Sequence, residues 1–378
     1  MRQNELISNG TISGPGSHYL HMNTLGIVNG CIDLLAETSS YITFPNNNTY
    51  GLRLFNDTEY YYGMYEFSKS GGAADQIKEC RRLVKEIDRG NHGEIDRVSE
   101  QCAFAMDYAN NISSAVYQDG KKAGWFDITH PAQDPFPPEY FMGFLNQPWV
   151  QQAMGSPVNH SFISMPVMYG FSGTGDMARG GLLHDLAYIL DHGVKVAMLY
   201  GDRDYACNWV QGERSSVEIP WSSQSDFEKV GYTPLVISPV QSGGLTRQYG
   251  NLSFTRVYQA GHLVPSYQPE VAYYIFMRAV LGKDIPTGLL DLQDLAVEGE
   301  TYSTEGPGDT WSMKSDVLPA PSGECYVLDI GRCTPEEIDW IFDGTAVVRD
   351  LIVVGRNDSL VDERRAAYVD QMTIKGDL

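Results

Sequence analysis

The sequence predicts an α/β protein, with a mostly parallel sheet covered by helices. Residues 194–200 (VKVAMLY) form a β-rich apolar run that ends in the sharp turn Gly201-Asp202-Arg203-Asp204. Residues 252–259 (LSFTRVYQ) form a second such run, closed by Ala260-Gly261-His262. Residues 269–281 then carry helical spacing, with Pro269 in the first turn and Gly282 just past the end. Strand, turn and helix in that succession indicate parallel strands joined by covering helices.

The remaining elements follow in order. Residues 25–30 (LGIVNG) read as a short buried strand closed by an Asn-Gly turn. From about Tyr41 to Met165 the pattern turns irregular, with many Tyr and Asn, a charged helical piece at 74–88 and a Pro-rich loop at 130–138. That composition suits an inserted cap rather than a repeating unit. Residues 182–190 (LLHDLAYIL) have helical spacing, stopped by His192-Gly193. Beyond Pro286 the chain becomes loop-rich and acidic.

Composition narrows the class of function. The chain has 378 residues, 42% of them apolar, and 27 Lys+Arg against 48 Asp+Glu give a net charge of −21. Collagen, coiled-coil and disordered classes are excluded. A field of this sign repels polyanions, so no nucleic-acid partner is expected. No apolar run approaches the ~18–20 residues of a membrane span. The acidity is uneven: residues 286–378 hold 19 Asp+Glu and 7 Lys+Arg, a net of −12, which leaves −9 for the first 285.

Asn-x-Ser/Thr sequons occur at Asn9, Asn47, Asn56, Asn111, Asn159, Asn251 and Asn357. Chance would give roughly two. With six cysteines this favours a glycosylated protein of the secretory route, its cysteines mostly paired. Yet residues 1–10 (MRQNELISNG) hold no apolar core and cannot act as a signal peptide. The histidines at 18, 21, 92, 130, 160, 184 and 192 show no ligand spacing, so no metal is expected, and no cofactor.

Two residues stand where open α/β sheets build their sites, on loops after strands. Asp204 lies in Gly201-Asp202-Arg203-Asp204-Tyr205-Ala206-Cys207-Asn208-Trp209. His262 lies 58 positions later in Gly261-His262-Leu263-Val264-Pro265. Acid before histidine is the second half of the order Ser…Asp…His in α/β-hydrolases. The carboxylate fixes the imidazole tautomer and stabilises the imidazolium formed when His accepts the nucleophile's proton. Gly261 lets the loop turn tightly beside the ring. Asp202 reads as a turn residue bonding local N–H groups.

The wording G-D-x-D-x-x-C-N-W followed by G-H-x-V-P resembles the serine carboxypeptidases, the fungal members most closely. Residues 24–33 (TLGIVNGCID) are similar to the family's strand ending in N-G-x-x-D. Residues 144–155 (FLNQPWVQQAMG) are similar to its L-N-x-P-x-V-Q-x-A-L-G helix. The matches run over residues 20–283. The resemblance implies an α/β-hydrolase core at 1–40 and 166–285, a cap at 41–165 and an acidic extension at 286–378. It implies that Asp204 and His262 are the acid and base of a triad, that Cys207, Asn208 and Leu263 line the substrate pocket, and that the substrates are peptide or protein C-termini. The matching cysteine in relatives is unpaired, so Cys207 is expected free. Cys80–Cys102 and Cys325–Cys333 are then the expected pairs, with Cys31 left over. The location implied is secreted or vacuolar.

The family's nucleophile lies in an E-S-Y elbow upstream of N-G-x-x-D, and its oxyanion segment (W-x-N-G-G-P-G) further upstream. Neither E-S-Y nor G-x-S-x-G occurs in these residues. Gly14-Pro15-Gly16-Ser17 follows no strand, and Gly170-Phe171-Ser172-Gly173-Thr174 lacks the second elbow glycine, so neither supplies them. The expectation is a serine carboxypeptidase lacking its N-terminal part and inactive alone. The alternatives are a non-catalytic relative that binds, and an acyltransferase on the same fold.

Overall fold

The computed structural model describes residues 1–117, 123–130, 140–311, 313, 315, 324–325, 327, 330, 333–349 and 352–359. The Pro-rich loop expected at 130–138 lies almost wholly outside them. The chain forms two compact units, Met1–Pro137 with Met165–Leu318, and Pro138–Ser164 with Pro319–Leu378. Among the described residues no helix is long and apolar enough to cross a membrane.

The first unit is built on a five-stranded sheet. Its strands are β1 (Thr24–Val28), β2 (Lys195–Gly201), β3 (Thr233–Ser238), β4 (Gln241–Tyr249) and β5 (Leu252–Val257), in the order β1-β2-β5-β4-β3. β1 and β5 flank β2 in parallel, with Val28 opposite Leu199 and Leu199 opposite Thr255. β4 and β3 continue antiparallel. The α/β class holds, with an antiparallel edge that the sequence did not announce. β2 is central and buried on both faces, which explains its unbroken apolar run. Its alternate residues divide between two cores: Val196, Met198 and Tyr200 face one, Ala197 and Leu199 the other. The second core is closed by the helix Pro269–Val280, through Val271 and Ile275.

The segment read as irregular is largely helical. Just before it and within it, helices run over Leu34–Thr43, Asp57–Ser68, Ala73–Ile87 and Asp96–Tyr117, the third at the helical piece expected over 74–88. Their inward faces pack Ile77, Cys80, Leu83, Cys102, Ala105 and Met106 into a separate core. Alanine and cysteine supply much of that apolar stripe, so its helical period is hard to see among the tyrosines. The disulfide Cys80–Cys102 joins the last two of these helices.

In the second unit the helix Pro148–Met154 begins on a proline and stops at Gly155, which takes φ +67°. The hairpin β6 (Ala346–Arg349) and β7 (Ile352–Arg356) and the disulfide Cys325–Cys333 also belong to it.

Candidate active site

The site sits at the C-terminal ends of β2 and β5. The loops that leave these strands touch: Arg203 N–H donates to Ala260 O at 2.9 Å, and Asp202 N–H to Val257 O at 3.0 Å. Gly201 permits this approach, because a Cβ there would lie 2.3 Å from Gly261 O. The loops are strapped by residues 123–130. Ala206 N–H donates to Trp125 O at 3.0 Å, Ile128 N–H to Arg203 O at 2.8 Å, and His262 N–H to Phe126 O at 2.9 Å. Gly261 matters for the same reason, since its Cβ would meet Phe126 O at 2.4 Å. Its role is close approach.

This packing brings Asp204 and His262 together. His262 Nδ1 lies 2.8 Å from Asp204 Oδ2. Asp204 is fully buried, while the His262 side chain is 28% exposed. The same Oδ2 accepts from Asn29 Nδ2 at 2.6 Å and from Cys207 N–H at 3.2 Å. Burial pushes the Asp204 carboxyl up, and the bonds from His262, Asn29 and Cys207 oppose it. For His262, burial alone would lower the pKa, but the bond and charge of Asp204 outweigh it, and the ring is held above its ordinary value. With Nδ1–H on the carboxylate, Nε2 of the neutral ring is the nitrogen that can accept a proton.

Asn29 belongs to the candidate site and was missed by the sequence reading. It follows β1, adopts φ 43°, and bridges Gly201 N–H (3.2 Å to its Oδ1) and Asp204. The Asn-Gly turn signal was present, but nothing in it announces a bond to a carboxylate far along the chain. Four residues on, Asp33 caps the helix Leu34–Thr43 through Leu35 N–H and Ala36 N–H, and pairs with Arg81 at 2.9 Å. The spacing N-G-x-x-D thus holds one residue for the site and one for the helix that follows.

Cys207 is not free. It forms a disulfide with Cys31, so all six cysteines are paired and the leftover cysteine has its partner. The β1–β2 pairing carries Cys31 alongside the loop after β2, and sequence distance hid that neighbourhood. Asn208 is buried, with its side chain spent on the cap of the helix Trp209–Glu218 and on Ser40 Oγ at 2.9 Å. Leu263 is 40% exposed beside His262. Asp202 corrects the expectation of a local turn bond: its Oδ1 accepts the Tyr50 hydroxyl at 2.7 Å, and burial pushes it up to about 6. Of the seven sequon asparagines none is buried, and Asn56 caps a helix.

Comparison with known proteins places the chain in a family. The family model described as serine carboxypeptidase matches residues 6–282. Carboxypeptidase S1 homolog A of Arthroderma otae is 44% identical over 356 residues, covering 93% of this chain and 54% of that protein. A carboxypeptidase Y homolog of Arthroderma benhamiae is 39% identical over 364 residues, 94% of this chain and 56% of its own length. The crystal structure of Kex1(Δ)p, a prohormone-processing carboxypeptidase of Saccharomyces cerevisiae, aligns with a TM-score of 0.46 at 17% identity, over 73% of this chain and 58% of that one. The chain spans about half the length of the curated relatives it matches.

Proposed function

The chain belongs to the serine carboxypeptidase family, and from that premise we propose that Asp204 and His262 are the acid and base of a Ser-His-Asp site that cleaves C-terminal peptide bonds. The observation that carries the proposal is the 2.8 Å contact between a buried carboxylate and a partly exposed imidazole. His262 Nε2 takes the proton of the serine hydroxyl as its oxygen attacks the scissile carbonyl. Asp204 stabilises the imidazolium, which then returns that proton to the leaving amine. Water repeats the sequence on the acyl ester and regenerates the serine.

The serine and the oxyanion donors belong, on this reading, to sequence outside these 378 residues. The absence of an E-S-Y or G-x-S-x-G elbow supports it, as does the coverage of only 54% of the 44%-identical Arthroderma otae relative. So does the sheet: β1 is an edge strand, and Val28, Tyr273 and Phe276 are 44%, 59% and 62% exposed beside it. A continuing sheet with its helices would cover such a surface. Leu263 and the Cys31–Cys207 disulfide form the wall for the residue before the scissile bond, with Asn208 holding that wall through its helix cap. Seven sequons and three disulfides support passage through the secretory route, to a secreted or vacuolar location.

The test compares the 378-residue chain alone with the same chain joined behind the N-terminal segment of the 44%-identical relative. Alone it neither labels with a fluorophosphonate nor releases an amino acid from an N-blocked dipeptide at about pH 5. The joined protein does both, and His262→Gln lowers its hydrolysis about 10⁴-fold or more. Hydrolysis by the chain alone, or activity that survives His262→Gln, overturns the proposal. Transfer to an added alcohol in place of hydrolysis would mark an acyltransferase.

A further inference from the structure

Glu37 lies on the helix Leu34–Thr43, is 2% exposed, and has no ion-pair partner among the described residues. Its Oε1 is 2.6 Å from the Tyr41 hydroxyl, and its Oε2 is buried with no hydrogen-bond partner among the described residues. The Tyr41 hydroxyl is also 2.6 Å from the carbonyl oxygen of Ala206. A phenol has one proton and cannot donate to two acceptors at that distance. Both contacts are satisfied if the carboxyl group is neutral. Glu37 O–H then donates to the Tyr41 oxygen, and Tyr41 O–H donates to Ala206 C=O. A buried carboxylate with one bare oxygen would be far costlier than a neutral acid with one unpaired carbonyl.

The peptide group that accepts from Tyr41 through its carbonyl is the one whose N–H, that of Cys207, donates to Asp204 Oδ2. We propose that Glu37, as a neutral acid, and Tyr41 are positioning residues that act on Asp204 through the Ala206–Cys207 peptide. The proposal rests on the reading of Asp204 and His262 given above. A bond accepted at a peptide carbonyl polarises the group and strengthens donation by its N–H. The relay therefore fixes the peptide and firms the bond that holds the carboxylate against His262.

The surroundings of Glu37 favour the neutral form. Burial pushes it up to about 8; the Tyr41 bond opposes this, and Asp33 and Asp204 add to it. On its own helix the charged neighbour is Asp33, already paired with Arg81 of the helix Ala73–Ile87. From β2 and its loop come Tyr200, Tyr205 and Asp204 with His262. From the helix Trp209–Glu218 come Arg214, bonded to Ser39, and Glu218. The helices Asp57–Ser68, Asp96–Tyr117 and Asp176–Arg179 also pack here; Glu66 bonds Lys69 and Tyr108, and Arg179 pairs with Asp88.

When Glu37 loses its proton to solvent, Tyr41 turns its single proton to the carboxylate and Ala206 C=O loses its donor. The experiment is a pH titration of the full chain labelled with ¹⁵N-cysteine, followed on the Cys207 amide. His262 contributes one step, identified on its own ring Cε1 resonance. In the natural chain a second, upfield step of the Cys207 amide proton appears near pH 8. Glu37→Gln, whose amide donates to Tyr41 as the acid does, keeps the low-pH position and lacks that step. Tyr41→Phe starts at the high-pH position. A natural chain that shows only the His262 step overturns the proposal, as does a Glu37→Gln chain whose amide matches Tyr41→Phe. If Tyr41→Phe does not fold, the natural and Glu37→Gln pair decides alone. The readout needs no nucleophile, so failure of peptide hydrolysis and failure of the relay are separate results.

Discussion

At the scale of single residues, Asp204 and His262 were legible as a candidate acid and base because each follows an apolar strand and lies in a glycine-containing turn. What holds them was not. Asn29 stands 175 positions from Asp204, and its side chain is committed only once β1 and β2 pair. Its backbone, at φ 43°, occupies the region that asparagine and glycine tolerate best. Asn29→Gly therefore keeps the turn and loses the bonds to Gly201 and Asp204, costing about 1.5–3 kcal/mol for a bond to a charged group. Asn29→Ala adds backbone strain of about 1 kcal/mol. Urea unfolding should rank the variants natural, Gly, then Ala; equal midpoints for all three would show that the side chain holds nothing. The same distance concealed the partner of Cys207.

At the scale of elements, legibility followed burial. β2, β5 and the helix Pro269–Val280 stand within a residue or two of their expected bounds, because a central parallel strand must be apolar throughout. β3 and β4 were missed: Gly243 and Gly244 lie within β4, and irregular register between the two strands breaks the alternation that marks a strand. Of the helices at 57–117, the piece expected at 74–88 was legible and is the helix Ala73–Ile87, while Asp57–Ser68 and Asp96–Tyr117 were missed because alanine and cysteine make up much of the inner face. Disulfides at this scale differ in reach. Cys31–Cys207 closes 176 positions and Cys80–Cys102 closes 22. Chain entropy assigns about 5 kcal/mol to the longer loop and about 3 kcal/mol to the shorter. The Cys31→Ala/Cys207→Ala chain should thus unfold at lower denaturant than Cys80→Ala/Cys102→Ala. The reverse order would show that local packing, rather than loop length, sets their contribution.

At the scale of the whole molecule, the net charge of −21 is carried largely by residues 286–378, outside the Asp204–His262 pair and just beyond the family match that ends at 282. The proposed half of a charge-relay site consists of a buried carboxylate, a partly exposed imidazole and a strap that holds both loops. The pair was legible in the sequence as an order of residues. Its geometry required the sheet, since β2 and β5 must lie side by side before their loops can meet. The measurement that tests this pair most directly is a pH titration of the His262 ring nitrogens by NMR, in the natural chain and in Asp204→Asn. Asp204 favours the imidazolium, so that form persists to higher pH than in an ordinary histidine. The stabilisation is full below the ordinary value and is lost as pH rises through the raised one. We expect the neutral ring to carry its proton on Nδ1, with a raised pKa that falls in Asp204→Asn. A proton on Nε2, or an ordinary pKa unmoved by Asp204→Asn, would contradict the assignment.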